Sequence, residues 1–320
     1  MATKLQMMSE LAAQTTERLT QSIDNWTSFL DSAAWLYKYP FHEQVLIHAQ
    51  RPDATACAPI ELWNNAFKRW VNKGAKGIAI IDDSGQKPTL RYVFDVSDTN
   101  TRYNIPFRLW QTKPEYEAQI IEELQNRFGD IGVEDADFSS AVLGIAINAV
   151  SDNYRDYYEE LLKVADNSAL ADMSDDEISS TFMVPLMTSV AHTVFVRLGI
   201  DAAAIFRADE YDSISLFNSP DTIAQLGAAT SDISEMVLRQ IERSVRSMER
   251  QERDTLAKSQ QVLQNEDRKN ERSVEHGTQL QAERGLSDSR YRDGRAADGG
   301  NRQIRDDEEG VSQGASEWNV

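Results

Sequence analysis

The chain has 320 residues, of which 41% are hydrophobic, so it can bury the core of one large domain or two small ones. Its formal net charge of −19 argues against a general nucleic-acid binder, whose surface is usually basic. The single cysteine, Cys57, excludes an intrachain disulfide and indicates a reducing compartment. Because the sequence has neither a signal-peptide pattern nor an apolar run of membrane-spanning length, we expect a soluble, cytoplasmic protein.

The charge is distributed unevenly along the chain. Between Arg51 and Lys113 there are ten Lys and Arg against six Asp and Glu, a local charge of +4, whereas residues 101–250 carry −14. One region is therefore suited to phosphate groups, while the middle of the chain repels them.

The first elements in chain order are helical. Apolar residues at helical spacing predict two helices within residues 3–36, the second of them capped by Ser22 or Asp24. An aromatic corner at residues 37–41 leads into a short helix over residues 42–50.

A helix, a basic turn and a hairpin follow. Pro59 opens the helix, because the first turn does not need the N–H that proline lacks. One face of this helix carries the apolar residues Leu62, Trp63, Phe67 and Trp70. The basic turn ends the helix, and strands are predicted over residues 78–81 and 90–96.

The rest of the chain is predicted to be helical and then disordered. The spacing indicates helices over residues 114–128, 139–150, 153–164, 175–198 and 221–250, with Ser174 and the acidic residues after it as a start signal. The last helix should continue as a charge-alternating rod into the 260s. From residue 251 onward, too few apolar residues remain to offset the entropy of ordering the chain.

These elements predict an α+β protein in three parts. The first is a small helix-plus-β-hairpin N-terminal domain at residues 1–110, and the second is a helical domain at residues 111–250. The third is a disordered polar tail at residues 251–320.

The basic turn, residues 73–77 (KGAKG), is the strongest functional signal. A tight cationic turn presents backbone N–H groups and lysine side chains to an anion. No cluster of nucleophile, base or metal ligands appears elsewhere in the sequence, so we predict a binding protein without enzymatic activity and without a cofactor. The alternative is that the turn is only the C-terminal cap of a helix, with two lysines in solvent.

The order of a Trp-containing helix, VNKGAKGI, an apolar strand and YVFDVSDT resembles the N-terminal domain of ArdC-type antirestriction proteins. In that family a similar order of motifs forms a domain that binds single-stranded DNA, although Asp98 stands where the family has Gln. The stretch is also similar to the N-terminal region of large helicase and methylase proteins of conjugative elements in Gram-positive bacteria. This resemblance implies a DNA-binding module of a mobile element.

The family's second domain is metalloprotease-like and carries an H-E-x-x-H helix. Thr188, Ser189 and His192 occupy the corresponding register here, so the resemblance implies a degenerate domain that has lost its metal. His192 is then a satisfied core histidine, and we expect neither bound zinc nor proteolysis.

The predicted DNA-binding residues fall into phosphate contacts and stacking platforms. Phosphates would meet Arg69, Lys73, Lys76 and Arg91, and bases would stack on Trp70, Tyr92 and Tyr103. Arg102 and Arg108 interleave with aromatic residues and extend this surface. Aromatic residues at helical spacing are more often core, which is the preferred interpretation for Trp63 and Phe94 but leaves Trp70 open.

The sequence therefore predicts a non-catalytic single-stranded DNA-binding module of a conjugative or integrative element, related to antirestriction proteins. The alternative is an acidic scaffold or DNA mimic whose helical half binds a protein partner, because residues 101–250 carry −14. An active helicase or methylase is disfavoured, since the sequence contains neither a phosphate-binding P-loop nor an acidic-Pro-Pro-aromatic methylase motif.

Limited trypsin digestion tests the predicted tail. The region beyond residues 250 to 265 supplies many arginines and no core, so digestion should leave a stable fragment of roughly 28 kDa. Mass spectrometry of the fragment gives its end. A tail that resists trypsin would contradict the predicted domain boundary.

Overall fold

The structure is a computed structural model that describes residues 2–101, 107–133 and 136–287, with side chains described to residue 269 except at position 267. The described residues are mostly helical and include two small sheets, which confirms the predicted α+β class. The chain divides into two units, residues 1–247 and a second that begins at residue 248.

The helices in chain order are α1 (Lys4–Leu19), α2 (Ile23–Trp35), α3 (Phe41–Gln50), α4 (Ile60–Asn65), α5 (Glu117–Phe128), α6 (Phe138–Leu162), α7 (Asp175–Leu198), α8 (Ala202–Ile205) and α9 (Pro220–Ser287). The strands are β1 (Cys57–Ala58), β2 (Trp70–Val71), β3 (Ile78–Asp82), β4 (Thr89–Asp95) and β5 (Thr99–Asn100). Short 3-10 helices cover Val96–Asp98, Pro114–Tyr116, Ala165–Asn167 and Ala208–Leu216.

Side-chain caps begin several helices. Thr3 and Gln6 form a capping box at the start of α1, and Ser174 and Glu177 form another at the start of α7. Ser22 accepts a hydrogen bond from the backbone N–H three residues further on, at the start of α2. The start signals predicted at Ser22 and Ser174 are confirmed.

The predicted hairpin is present. β3 and β4 pair antiparallel with Ile78 opposite Val93, and β1 pairs with the other side of β4, giving the order β1-β4-β3. A second sheet joins β2 to β5, with Trp70 opposite Asn100. The two-residue strands β1, β2 and β5 were not predicted, because two residues are too short to show a period.

The prediction of one helix from Pro59 to the basic turn is wrong. α4 ends at Asn65, and Lys68 takes a positive φ of 52° that turns the chain out of the helix. The Arg69 N–H then donates to the Trp63 carbonyl at 2.9 Å, and Trp70 enters a strand. Pairing with β5 therefore overrides the helical spacing of the apolar residues.

β3 lies at one edge of the three-stranded sheet, and β1 lies at the other. The Gln50 side-chain amide, at the end of α3, donates to the Ala79 carbonyl at 2.8 Å and accepts from the Ala79 N–H at 3.0 Å. A side chain thus occupies the backbone groups that a further strand would use.

α2 and α7 pack together at the centre of the first unit. Trp26 of α2 is fully buried, and its indole N–H donates to the Ser189 hydroxyl of α7 at 2.8 Å. The domain boundary predicted at residue 110 lies within this unit, because elements from both sides of it share this contact.

A buried carboxylate, Glu242 of α9, joins the N-terminal segment to the last helix. It accepts hydrogen bonds from the Tyr37 hydroxyl at 2.6 Å and from the Lys38 ammonium at 3.1 Å, and it pairs with Arg246. Burial raises the pKa of Glu242, but these donors outweigh burial and hold the pKa below its ordinary value. The buried carboxylate of Glu242 therefore has three partners: the Tyr37 hydroxyl, the Lys38 ammonium and the Arg246 guanidinium.

Arg197 extends this buried network. Its guanidinium lies 3.6 Å from the centroid of the Trp110 ring and donates to the Trp110 carbonyl at 2.9 Å. The Trp110 indole N–H in turn donates to the Tyr37 hydroxyl at 3.0 Å. Burial lowers the pKa of Arg197 to about 10.

α7 is long and apolar enough to cross a membrane, by length and composition alone. Two thirds of its most apolar window, 67%, is buried within the protein. It contacts α2 and α6, as the core helix of a soluble protein does.

The second unit is described from residue 248 as the continuation of α9 to Ser287. Its side chains from residue 251 to residue 266 are all exposed, including Leu256, Val262 and Leu263. The predicted polar rod is confirmed. Residues 288–320, slightly less than half of the predicted tail, lie outside the described residues.

Gly227→Ala tests the packing of α9. In a helix this change ordinarily stabilises by about 0.5–1 kcal/mol, but here the added Cβ would lie 2.2–2.4 Å from ring carbons of Phe41. We expect the free energy of unfolding to fall by about 1–3 kcal/mol, measured by urea titration. Gly85→Ala, whose Cβ would meet its nearest atom at 3.8 Å, is the matched control. Equal effects of the two changes would contradict the contact.

Candidate nucleic-acid interface

The basic turn lies between two strands. The Ala75 N–H donates to the Asn72 carbonyl at 3.1 Å, and Gly74, at the third position of this four-residue turn, has a φ of 90°. A positive φ at that position is typical of a type II turn and favours glycine. Because the turn follows β2 and not a helix, the alternative of a helix C-terminal cap is wrong.

Lys73 and Lys76 project from this turn into solvent. Both side chains are exposed, and neither forms an ion pair with a carboxylate in the described part of the chain. Their ammonium groups are therefore available to an external anion.

The end of the turn packs against an aromatic residue of β4. A Cβ added at Gly77 would lie 3.2 Å from the Tyr92 ring and 3.1 Å from the Phe94 ring, so glycine permits this close approach. Tyr92 is 39% exposed. The fold thus brings the basic turn and a predicted stacking residue together.

A third lysine joins them from α1. The Lys4 ammonium lies 4.7 Å from the centroid of the Tyr92 ring, within range of a cation–π contact. Lys4 could not be predicted as part of the site, since it lies 88 positions before Tyr92 along the chain. We call Lys4, Lys73, Lys76, Gly77 and Tyr92 the Tyr92 patch.

Arg69 and Trp70 have other partners. The Arg69 guanidinium is half-buried and donates to the Thr99 hydroxyl at 2.7 Å and to the Thr99 carbonyl at 3.1 Å. Trp70 is half-buried in β2. Both residues fasten β2 to β5 next to the turn, and neither belongs to the Tyr92 patch.

Arg91 is opposite Ile80 in the sheet and forms an ion pair with the buried Glu43 of α3 at 2.8 Å. Its Nε is buried and has no hydrogen-bond partner among the described residues, so the Glu43 bond is made by the end of the guanidinium, at Nη2. Arg91 therefore joins the sheet to α3.

The remaining predicted residues follow β5. Arg108 is exposed, and Phe107 beside it packs in an aromatic cluster with Trp63 and Phe67. Arg102 and Tyr103 lie outside the described residues. Trp63 is fully buried and Phe94 packs against its cluster, as the core interpretation predicted.

Asp95 holds the end of β4 in place beneath the site. Its buried carboxylate accepts hydrogen bonds from the Thr55 and Ala56 N–H groups at 2.8 and 3.0 Å, and from the Ser97 N–H and hydroxyl at 2.9 and 2.6 Å. Burial raises the pKa of Asp95, but these donors together outweigh burial and hold the pKa below its ordinary value. The loop before β1 and the turn after β4 are thus joined through one ionised side chain.

His192 is held by two hydrogen bonds. Its Nε2 lies 2.9 Å from the Asp31 carboxylate and its Nδ1 lies 2.8 Å from the Tyr211 hydroxyl, while the residue is only 6% exposed. Ser189 and Thr188, in the register of the other two motif positions, bond to Trp26 and to the Val184 carbonyl. No group of three or more His, Cys, Asp or Glu that could hold a metal occurs within the described ranges.

Comparison of the chain with protein-family models, with curated proteins and with solved structures gives no match. The resemblance to the ArdC family therefore stays a prediction from the sequence. The functional interpretation of the Tyr92 patch depends on its geometry and charge.

Asp95→Asn should lower the free energy of unfolding at pH 7 by about 1.5–3 kcal/mol, the usual contribution of hydrogen bonds to a charged group. Because the folded-state pKa is depressed, this contribution is complete above the pKa of the unfolded chain and is lost as the pH falls through the folded-state pKa. The difference between wild type and variant should therefore shrink below about pH 4. Urea unfolding at several pH values measures it.

Asp172→Asn is the control for this titration. Asp172 is exposed and forms no ion pair among the described residues, so its variant should match the wild type at every pH. If the free energy of unfolding of Asp95→Asn stays below that of the wild type by the same amount at every pH, the charge of Asp95 is not what stabilises the turn.

Proposed function

We propose that the protein binds single-stranded DNA, without sequence preference and without catalysis, through the Tyr92 patch. One observation carries this proposal: the turn ends against the exposed ring of Tyr92, and Lys4 reaches the same ring. The turn carries Lys73 and Lys76, which are exposed and form no ion pair with any residue that the structure describes. Sites for single-stranded nucleic acid combine cations that contact the phosphates with exposed aromatic rings on which the bases stack.

The two parts of the patch have different roles in this proposal. The lysines meet backbone phosphates, which release counterions and supply most of the affinity without reading sequence. Tyr92 stacks on a base, and stacking contributes about 1–3 kcal/mol per base and tolerates every base. The single strand is favoured over duplex because its bases are free to stack.

The charge of the rest of the protein limits this interaction. Residues 101–250 carry −14, so DNA that follows the Tyr92 patch is repelled by the helical half. Affinity should therefore be modest and strongly dependent on salt. The resemblance to ArdC-type proteins supports a cytoplasmic role in a conjugative or integrative element, related to antirestriction.

A second candidate function is an acidic surface that binds a protein partner or mimics DNA. It is favoured by the exposed carboxylates on α6, at the start of α7 and in the segment between these two helices. In the part of the chain that the structure describes, no ion pair neutralises five of them: Asp152, Asp156, Asp166, Asp172 and Asp176. A basic partner would find an uncompensated negative field there.

The double change Lys73→Gln with Lys76→Gln tests the first proposal. Fluorescence anisotropy of a labelled oligonucleotide should show weaker binding, with the slope of log K against log salt shallower by about 1.4, because each phosphate contact on a single strand contributes roughly 0.7. The free energy of unfolding should change by less than about 0.5 kcal/mol, since both lysines are exposed. Tyr92→Leu should weaken binding without changing the salt slope.

The matched control is the double change Arg155→Gln with Lys163→Gln, which removes the same charge from the exposed surface of α6 and its C-terminal cap, outside the Tyr92 patch. It should leave the affinity and the salt slope close to those of the wild type. If folded wild-type protein gives a flat response at low salt, DNA binding is refuted and the acidic surface becomes the leading candidate. Equal losses in both double variants would indicate a general charge effect and no site.

A further inference from the structure

A cleft of about 500 Å³ opens between α2, α7 and the segment around α8, within the first unit and built from residues that the Tyr92 patch does not use. This volume lies in the range of small-molecule sites, about 300–1,000 Å³. The walls are mainly apolar and include Ile23, Val196, Ile200 and Phe206, while Asp31 and His192 supply polar groups.

Asp31 is the carboxylate of this cleft that contacts His192. Its side chain is 61% exposed, and one of its oxygens accepts a hydrogen bond from Nε2 of the buried His192 at 2.9 Å. Because an ionised carboxylate can only accept, Nε2 carries the proton of this hydrogen bond, and Nδ1 on the other side of the ring lies 2.8 Å from the Tyr211 hydroxyl. The chain Tyr211–His192–Asp31 therefore fixes the orientation of the carboxylate.

The Asp side chains of the lining are negatively charged, and no Lys or Arg side chain of the lining opposes them. A second carboxylate, Asp201, caps α8 by accepting from the Ala203 and Ala204 N–H groups, and the lining residues include neither Lys nor Arg. Apolar walls of low dielectric concentrate the negative potential of Asp31. The cleft is thus suited to a ligand with a positive end and an apolar body.

An organic cation suits this cleft better than a metal ion. No group of three or more His, Cys, Asp or Glu that could hold a metal occurs among the described residues, and both ring nitrogens of His192 already have a partner, Asp31 or Tyr211. An ammonium or guanidinium group can instead donate to the exposed Asp31 carboxylate without disturbing either bond.

We propose that this cleft binds an organic cation with an aliphatic stem, in which the cation pairs with Asp31 and the stem lies against Ile23, Val196 and Phe206. Such a group is either a free alkylamine or the lysine side chain of a peptide. This inference is independent of DNA binding, because none of these residues belongs to the Tyr92 patch.

Isothermal titration calorimetry of the full chain tests it with three probes: hexylammonium, hexan-1-ol and a short peptide with one lysine between alanines. Hexylammonium should bind with saturation, and hexan-1-ol, which has the same stem without the charge, should bind about tenfold more weakly. If the peptide binds more tightly than hexylammonium, the natural ligand is a lysine side chain. If it binds more weakly, the ligand is a free amine.

Two variants separate charge from shape. Asp31→Asn keeps an oxygen that accepts from His192 and removes the charge, so the affinity for hexylammonium should fall about tenfold while the protein stays folded by circular dichroism. Ala203→Trp places a large side chain at an exposed position of the lining and should abolish binding of both alkyl probes.

Asp166→Asn, at an exposed position away from the cleft, is the charge control and should bind hexylammonium as the wild type does. Failure of hexylammonium to saturate, equal affinity for hexan-1-ol, or unchanged affinity in Asp31→Asn would each overturn the proposal.

Discussion

The buried carboxylate of Glu242 is the interaction on which the arrangement of the first unit depends. An ion in the interior is stable only when donors surround it, and breaking such a group by removing one partner typically costs about 3–5 kcal/mol. Here the donors come from Tyr37 and Lys38, just after α2, and from Arg246, one turn along α9. These contacts therefore hold the first-unit part of α9 against the segment that follows α2.

The cations near the sheets fall into two classes, according to whether they donate to a group of the protein itself. Arg51, Arg69 and Arg91 each donate to groups of the protein itself, namely Asp98, Thr99 and Glu43. The planar guanidinium suits this role, because it makes several directed hydrogen bonds at once. Lys73 and Lys76 project from a turn and have no such partner among the described residues. The three arginines thus hold parts of the protein together, whereas the two lysines leave their positive charges available to an external phosphate.

Much of this fold could be predicted from the sequence, because helices of ten or more residues reveal their period and their caps. α7 begins after Ser174 and ends at Leu198, as its capping box and apolar spacing indicate. The stretch around Trp70 could not be predicted, because its two-residue strand depends on β5, thirty positions further on. The candidate site was predicted in part: Lys73, Lys76 and Tyr92 come together, but local sequence carries no signal for Lys4 or for the partners of Arg69 and Arg91.

The amide of Gln50 has a consequence for how copies of this protein can meet. An open strand edge is a template for pairing with another chain, and native proteins block such edges. At Ala79 both backbone groups of β3 are already bonded to Gln50, so a strand from a second molecule would first have to displace that side chain. Copies of the protein at high local concentration would therefore not join their sheets through this part of β3.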